Sequence, residues 1–291
     1  MKNSFSGLIS QVQCVAHDKF LTLPGMTTRY VALALLVMLF PIQVFAGIVG
    51  YWSFEHGTAN TVAAGSNTIL DSSGNGFHGT PYNEPMYVSS NSGIGSVALS
   101  FPNINSVVAI ADNSAFELTQ SLTIEATIRL DAAPAYQGQI LFRGDSRGGL
   151  DPYTFTVDSS RRLFFLVTSL TGGSVIASEP IIIGQWYQVA AMLNHATGRQ
   201  SIFINGVEVA STITAVRPFG QLDNTRDPGL SIGNLQTRFG DQPFTGLIDE
   251  VRLSNVAMLS SGGEVPEPST MAIFGLGALG MAYRARRKAK A

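Results

Sequence analysis

Residues 184–210, GQWYQVAAMLNHATGRQSIFINGVEVA, constrain the fold more than any other part of the chain. Trp186 to Leu193 is apolar and aromatic and of strand length. Residues 194–200 are polar and carry a Gly, so they read as a connection. Residues 201–204 alternate polar and apolar. Asn205-Gly206 tolerates positive φ and fits a two-residue hairpin turn. Residues 207–210 form the return strand. Three consecutive antiparallel strands in so short a segment predict a β-sheet protein.

The rest of the central region agrees. Residues 122–130 alternate Leu, Ile, Ala, Ile, Leu with Thr, Glu, Thr, Arg. That period of two predicts one buried and one polar face. Short strands are expected at residues 47–54, 97–101, 107–110, 139–142, 153–157, 163–168 and 174–177. Their separators, such as Arg143-Gly144-Asp145, are turn chemistry. Residues 55–96 are rich in Gly, Ser and Asn and read as turns. Strands recurring at about ten-residue intervals predict a sandwich. No amphipathic helix of three turns is expected in the domain. Charged residues are only 13% and glycines number 30, which suits strands and turns. A formal net charge of −2 gives no reason to expect nucleic-acid binding.

Both termini read as targeting segments. Residues 31–40, VALALLVMLF, follow Arg29, stop at Pro41, and lead to Val44-Phe45-Ala46. This is a signal-peptide pattern, too short for a comfortable transmembrane span. Residues 1–46 are assigned to it, with translation expected to start at Met26; a long signal peptide is the alternative. Either way the mature protein begins near Gly47. Cys14, the one cysteine, lies in the removed segment. The mature chain therefore has no disulfide, thiol nucleophile or zinc-thiolate site. After a linker at residues 261–264 comes the C-terminal signal, residues 265–291. It contains Pro266-Glu267-Pro268, a Gly- and Ala-rich apolar run at 271–283, and Arg284, Arg286, Arg287, Lys288 and Lys290. The basic end should stay cytoplasmic. The apolar run of 13 residues covers roughly 20 Å as a helix, against about 30 Å of hydrocarbon. It is a short transmembrane helix and a poor permanent anchor.

Two family resemblances follow from these residues. GIVGYWSFE at 47–55, DSSGNGFHG at 71–79, SLTIEATIRL at 121–130, the Trp186-Tyr187 strand with IFINGVEVA, and FTGLIDEVRL at 244–253 occur in family order. Together they resemble the laminin-G-like, concanavalin A-like jelly-roll domains. The resemblance covers residues 47–260 and implies an all-β jelly-roll sandwich. The tail resembles the PEP-CTERM sorting signal of exported bacterial proteins. That implies recognition and cleavage near Pro266-Glu267-Pro268 by an exosortase. The protein would be held in the inner membrane facing the periplasm, then released to the cell surface or extracellular matrix. A plain tail anchor is the alternative.

Candidate chemistry is sparse. Asp71, Ser73 and Asn75 form an oxygen-rich loop that superficially resembles part of a calcium site. In laminin-G-like relatives this loop and the closing strand can share a structural calcium. The resemblance thus implies Asp71, Asn75 and Asp249 as ligands. The alternative is a turn cap at Asp71 and an ordinary hydrogen bond at Asp249. Trp52 and Trp186 match core positions and are expected inside. Ligand contacts are expected on loops, with Tyr82, Tyr136 and Phe239 as candidates. Glu125, Asp249 and Glu250 raise glycoside hydrolysis, which needs two carboxylates at a controlled separation. Asp249 and Glu250 are adjacent and should point to opposite faces, so no catalytic residue is assigned. His56, His78 and His195 are scattered, with no serine nucleophile motif beside them. They read as turn or surface residues. Arg143-Gly144-Asp145-Ser146 matches an RGDS motif but sits where a turn is expected. The expected function is non-catalytic binding or adhesion, with polysaccharide as partner. The alternatives are a structural matrix protein with protein partners, or a glycoside hydrolase.

Overall fold

The computed structural model describes residues 47–147, 149–236 and 242–259. The signal peptide, the sorting tail and Phe239 lie outside the described residues. In chain order the strands are β1 (Ile48–Trp52), β2 (Thr61–Val62), β3 (Gly79–Tyr82), β4 (Met86–Ser89), β5 (Val97–Ser100), β6 (Val107–Ala111), β7 (Leu122–Leu130) and β8 (Gln137–Gly144). They continue as β9 (Tyr153–Asp158), β10 (Arg162–Ser169), β11 (Gly172–Pro180), β12 (Trp186–Leu193), β13 (Arg199–Ile204), β14 (Val207–Ile213), β15 (Gly229–Ile232) and β16 (Gly246–Ser254). A single 3₁₀ turn, Ser114–Phe116, is the one helical element among the described residues.

The strands form two antiparallel sheets. One runs β14-β13-β12-β7-β16-β5-β4-β2, with β1 also on β16. The other runs β11-β10-β9-β8-β15-β6-β3. Strand β7 shows why they pack. Leu122, Ile124, Ala126, Ile128 and Leu130 all face the core. They meet Phe155, Phe165 and Val167 of the facing sheet, among others, in one continuous apolar cluster. The β13–β14 hairpin turns at Asn205 (φ 50) and Gly206 (φ 78). Positive φ at both positions is the type I′ requirement, which this dipeptide meets at low cost.

Strand β16 serves two partners along one side. Leu247 and Ile248 pair with β5, whereas Val251, Arg252, Leu253 and Ser254 pair with β1. The change-over is a bulge, where the register with β7 slips between Asp249 and Arg252. Glu250 carries a φ of 53 there. The turn-rich region contains more sheet than its composition predicts, since β2, β3 and β4 all lie within it. These strands have at most four residues, too short for a periodic signal. The same brevity hides β15.

Candidate functional site

The outward face of the nine-stranded sheet is built from β16, β7 and β12. Paired residues of a sheet share a face. Leu247, Arg129 and Trp186 therefore form one row, and Asp249, Thr127 and Gln188 the next. Trp186 is consequently not a core residue, contrary to the expectation from sequence. Its neighbour Tyr187 faces inward instead. The Trp186 indole is half-buried. Its Nε1–H donates to Asn91 Oδ1 at 2.8 Å. The Arg129 guanidinium lies 5.7 Å from its ring centroid, and Arg129 is held by Asp131 at 2.8 Å. Trp52 meets the expectation: it is fully buried and its Nε1–H donates to the Phe77 carbonyl at 2.9 Å.

A loop at residues 90–96 crosses this face. Ser90 Oγ donates to Asp249 Oδ2 at 3.0 Å, and the next residue, Asn91, holds Trp186. At its far end Ser96 N–H and Oγ–H and Val97 N–H all donate to Glu55. Glu55 and Asp249 thus meet at one place. A Cβ on Gly95 would sit 2.5 Å from Glu55 Oε1 and 3.5 Å from Asp249 Oδ2. Asp249 is fully buried, and among the described residues its further support is the Glu250 N–H at 2.9 Å. Burial pushes its carboxyl up to about 8, and the charges of Glu250 and Glu55 add to the effect. Burial opposes ionisation of Glu55 as well, but the donors from Ser96 and Val97 hold it below its usual range. Sequence reading missed Glu55; its only signal was an acidic residue closing the GYWSFE strand.

The bulge also corrects the expected directions of the two adjacent carboxylates. Val251 faces the core, so Glu250 is the inserted residue. Its side chain accepts from the Tyr51 hydroxyl and from Arg252 Nη2 at 3.3 Å. Tyr51 and Arg252 are cross-strand partners on the outward face. Asp249 and Glu250 therefore serve the same side of the sheet. The Arg252 guanidinium stacks 4.3 Å over the Tyr51 ring, and burial beside Glu250 pushes the Tyr51 hydroxyl up to about 12.

Asp71 and Asn75 sit elsewhere, in the loop between β2 and β3, which is hydrogen-bonded to β1. Asp71 Oδ1 accepts from the backbone N–H of Tyr51 and Ser73, and Oδ2 from that of Phe77. The Asn75 amide donates to the carbonyls of Ile48 and Val49. This loop is organised as a side-chain-capped turn. No hydrogen bond joins Asp71 or Asn75 to Asp249. Among the described residues no group of three or more His, Cys, Asp or Glu converges as a metal-ligand set.

The remaining candidates resolve simply. Arg143 of the RGDS match is fully buried and points into the sandwich, where it pairs with Asp112 at 2.7 Å. Asp145 is bound by Arg147. The motif is a strand end and turn, not a displayed loop. His78 Nδ1 accepts the Asp71 N–H, His56 meets the Tyr87 hydroxyl, and His195 Nδ1 accepts from Arg217. All three organise turns. Tyr136 is exposed at 66%, while Tyr82 lies half-buried on β3.

Comparison with known proteins places this geometry. Residues 102–261 match the concanavalin A-like lectin/glucanases superfamily, and residues 264–288 match the PEP-CTERM protein-sorting motif. No curated protein sequence matches the chain. Domain 4 of AbnA, an extracellular arabinanase from Geobacillus stearothermophilus, shares 19% identity over 73% of this chain and 94% of its own, with a TM-score of 0.50. The binding domain of Paraclostridial Mosquitocidal Protein 1 shares 14% identity over 70% of this chain and 50% of its own, with a TM-score of 0.52. Trypanosoma rangeli sialidase shares 15% identity over 74% of this chain, which spans 31% of the sialidase, with a TM-score of 0.47. The all-β sandwich matches the fold of the first two. The matches to residues 102–261 and 264–288 show that the chain belongs to the concanavalin A-like lectin/glucanases superfamily and carries a C-terminal PEP-CTERM sorting motif.

Proposed function

We propose that the sandwich is a non-catalytic binding module for polysaccharide at the cell surface or in the extracellular matrix. The observation that carries this reading is the outward Trp186. An indole held on a sheet face beside polar side chains can stack on a sugar ring while its neighbours take the hydroxyls. Gln188 is exposed on the same face, and Arg129 and Asn91 fix the ring from two sides. The AbnA domain of the same fold was crystallised with arabinotriose, so the fold is compatible with sugar binding. The carboxylates do not favour hydrolysis. Asp249 is closed beneath Ser90, and Glu250 is engaged by Tyr51 and Arg252. A glycan array with the purified domain tests the proposal: retention of one or more polysaccharides is expected. Retention of none, with binding to matrix proteins instead, would favour the structural-protein alternative.

Calcium belongs to the same proposal, but at a different place from the loop first considered. Asp71 spends its oxygens on backbone amides, whereas Glu55 and Asp249 both approach Gly95, where a Cβ would stand 2.5 Å from Glu55 Oε1 and 3.5 Å from Asp249 Oδ2. Two carboxylates beside Ser90 suit a hard, oxygen-seeking cation. Bound there, it would supply the positive charge that the protein does not provide to Asp249. Because Ser90 and Asn91 are adjacent, the cation would also steady the loop that holds Trp186.

The sorting motif implies export and processing by an exosortase. The proposal adds that cleavage falls near Pro266-Glu267-Pro268. Mass spectrometry of the surface-localised protein should find no basic tail; an intact one would mean a tail-anchored protein.

A further inference from the structure

The outward face of the nine-stranded sheet carries a second aromatic side chain. Phe203 lies on β13 between Ile202 and Ile204, both of which pack on the core. Strand alternation therefore turns Phe203 outward. It takes no part in the core cluster and stays half-exposed. Its cross-strand partners are Ala190 of β12 and Glu208 of β14. Trp186 and Ala190 both point outward from β12. The stretch of β12 between them and one interstrand step set the two aromatic positions about 14 Å apart.

The two rings have similar surroundings. Trp186 shares its row with Arg129, which is held by Asp131. Phe203 shares its row with Glu208, which is held by Arg199. Arg199 Nη2 also donates to Ser211 Oγ at 2.8 Å, and Ser201 Oγ donates to Glu208 Oε2 at 2.9 Å. The Arg199 and Glu208 side chains are 45% and 30% exposed, so this fixed pair keeps atoms open to a ligand hydroxyl. Gln188 occupies the row between the rings and is exposed. Ala190 ends at its Cβ, so no long side chain of β12 rises directly beside Phe203. Two apolar rings with polar groups between and beside them complement a chain of sugars, whose ring faces are apolar and whose edges carry hydroxyls.

We propose that Phe203 is a second sugar-stacking subsite, and that the outward face takes an internal stretch of a linear polysaccharide laid along β12 from Trp186 past Gln188 to Phe203. A single sugar ring cannot cover both aromatics, whereas a chain of several rings reaches both. Contacts made by one chain reinforce each other, because the second forms at the high effective concentration set by the first. The inference rests on Trp186 being a sugar platform, as proposed above; the role of Phe203 and the dependence on chain length are its own content.

The test is calorimetric titration with disaccharides and hexasaccharides prepared from the polysaccharide that the array retains. Wild-type protein should bind the hexasaccharide about tenfold or more tightly than the disaccharide, the scale of one further aromatic contact. Phe203→Leu keeps an apolar side chain but no ring. It should lose that gain and leave disaccharide affinity unchanged, whereas Phe203→Tyr should retain the gain. Both variants should melt close to wild type, because the ring lies outside the core. Equal affinity of wild-type protein for the two lengths, or an undiminished gain in folded Phe203→Leu, overturns the second subsite. If Trp186→Ala still abolishes disaccharide binding, the wider proposal survives that result. Unchanged binding of both lengths by folded Trp186→Ala overturns the platform and this inference with it.

Discussion

Two regions of the nine-stranded sheet use the same residue types to different ends. On the inward side, Trp52 and Asp71 belong to one closed assembly. The Asp71 carboxylate takes the N–H groups of Tyr51, Ser73 and Phe77, and Trp52 donates to the Phe77 carbonyl. On the outward side, Trp186 and Asp249 are linked by the 90–96 loop. There the indole is half-open, and the carboxylate receives one hydroxyl and one amide. Backbone amides saturate a carboxylate and make it structural. A carboxylate left with few donors keeps capacity for a ligand, at some cost to the empty fold.

The largest expected effects lie on the inward side. Trp52→Ala should cost about 3–5 kcal/mol in chemical denaturation, the range for removing a buried aromatic. Asp71→Ala strands three backbone donors at roughly 1–3 kcal/mol each, and should leave any calcium response intact. A mild Asp71→Ala phenotype together with lost calcium response would reverse the comparison.

Next comes pH. Folded Asp249 is pushed up to about 8 and Asp151 to about 7, from ordinary values of 3.8. Between these limits the folded state keeps protons that the unfolded chain releases. Stability with chelator present should therefore fall as pH rises from about 4 to about 8. Asp249→Asn should flatten this slope and remove stabilisation by calcium. Melting curves over that range, with and without calcium, decide the point; a slope of opposite sign, or identical curves for the two proteins, would contradict it. Smallest is the effect of Trp186→Ala on stability, about 1 kcal/mol or less, because the ring lies on the surface. A loss as large as that of Trp52→Ala would return Trp186 to the core.

Much of this fold was legible. The alternation in β7 holds along its inward side, and Asn205-Gly206 turns as its chemistry requires. The face of Trp186 was not legible, because β12 carries Ala190 and Met192 outward and Ala191 and Leu193 inward. With apolar residues on both sides, parity is set by pairing Trp186 with Arg129, not by composition. The Asp249-Glu250 bulge is equally silent in sequence, since an inserted residue leaves no compositional trace. Glu55 was missed for a third reason. Its donors are Ser96 and Val97, and it meets Asp249 only after the chain has closed the sheet.

The central claim is that the outward face of the nine-stranded sheet binds polysaccharide through Trp186. Titration of wild-type protein and Trp186→Ala with the best glycan from the array addresses it most directly. The account predicts that the variant melts close to wild type and loses most of its affinity, by about tenfold or more for a principal aromatic contact. Full affinity in a folded Trp186→Ala variant would contradict it and place the binding surface elsewhere on the sandwich.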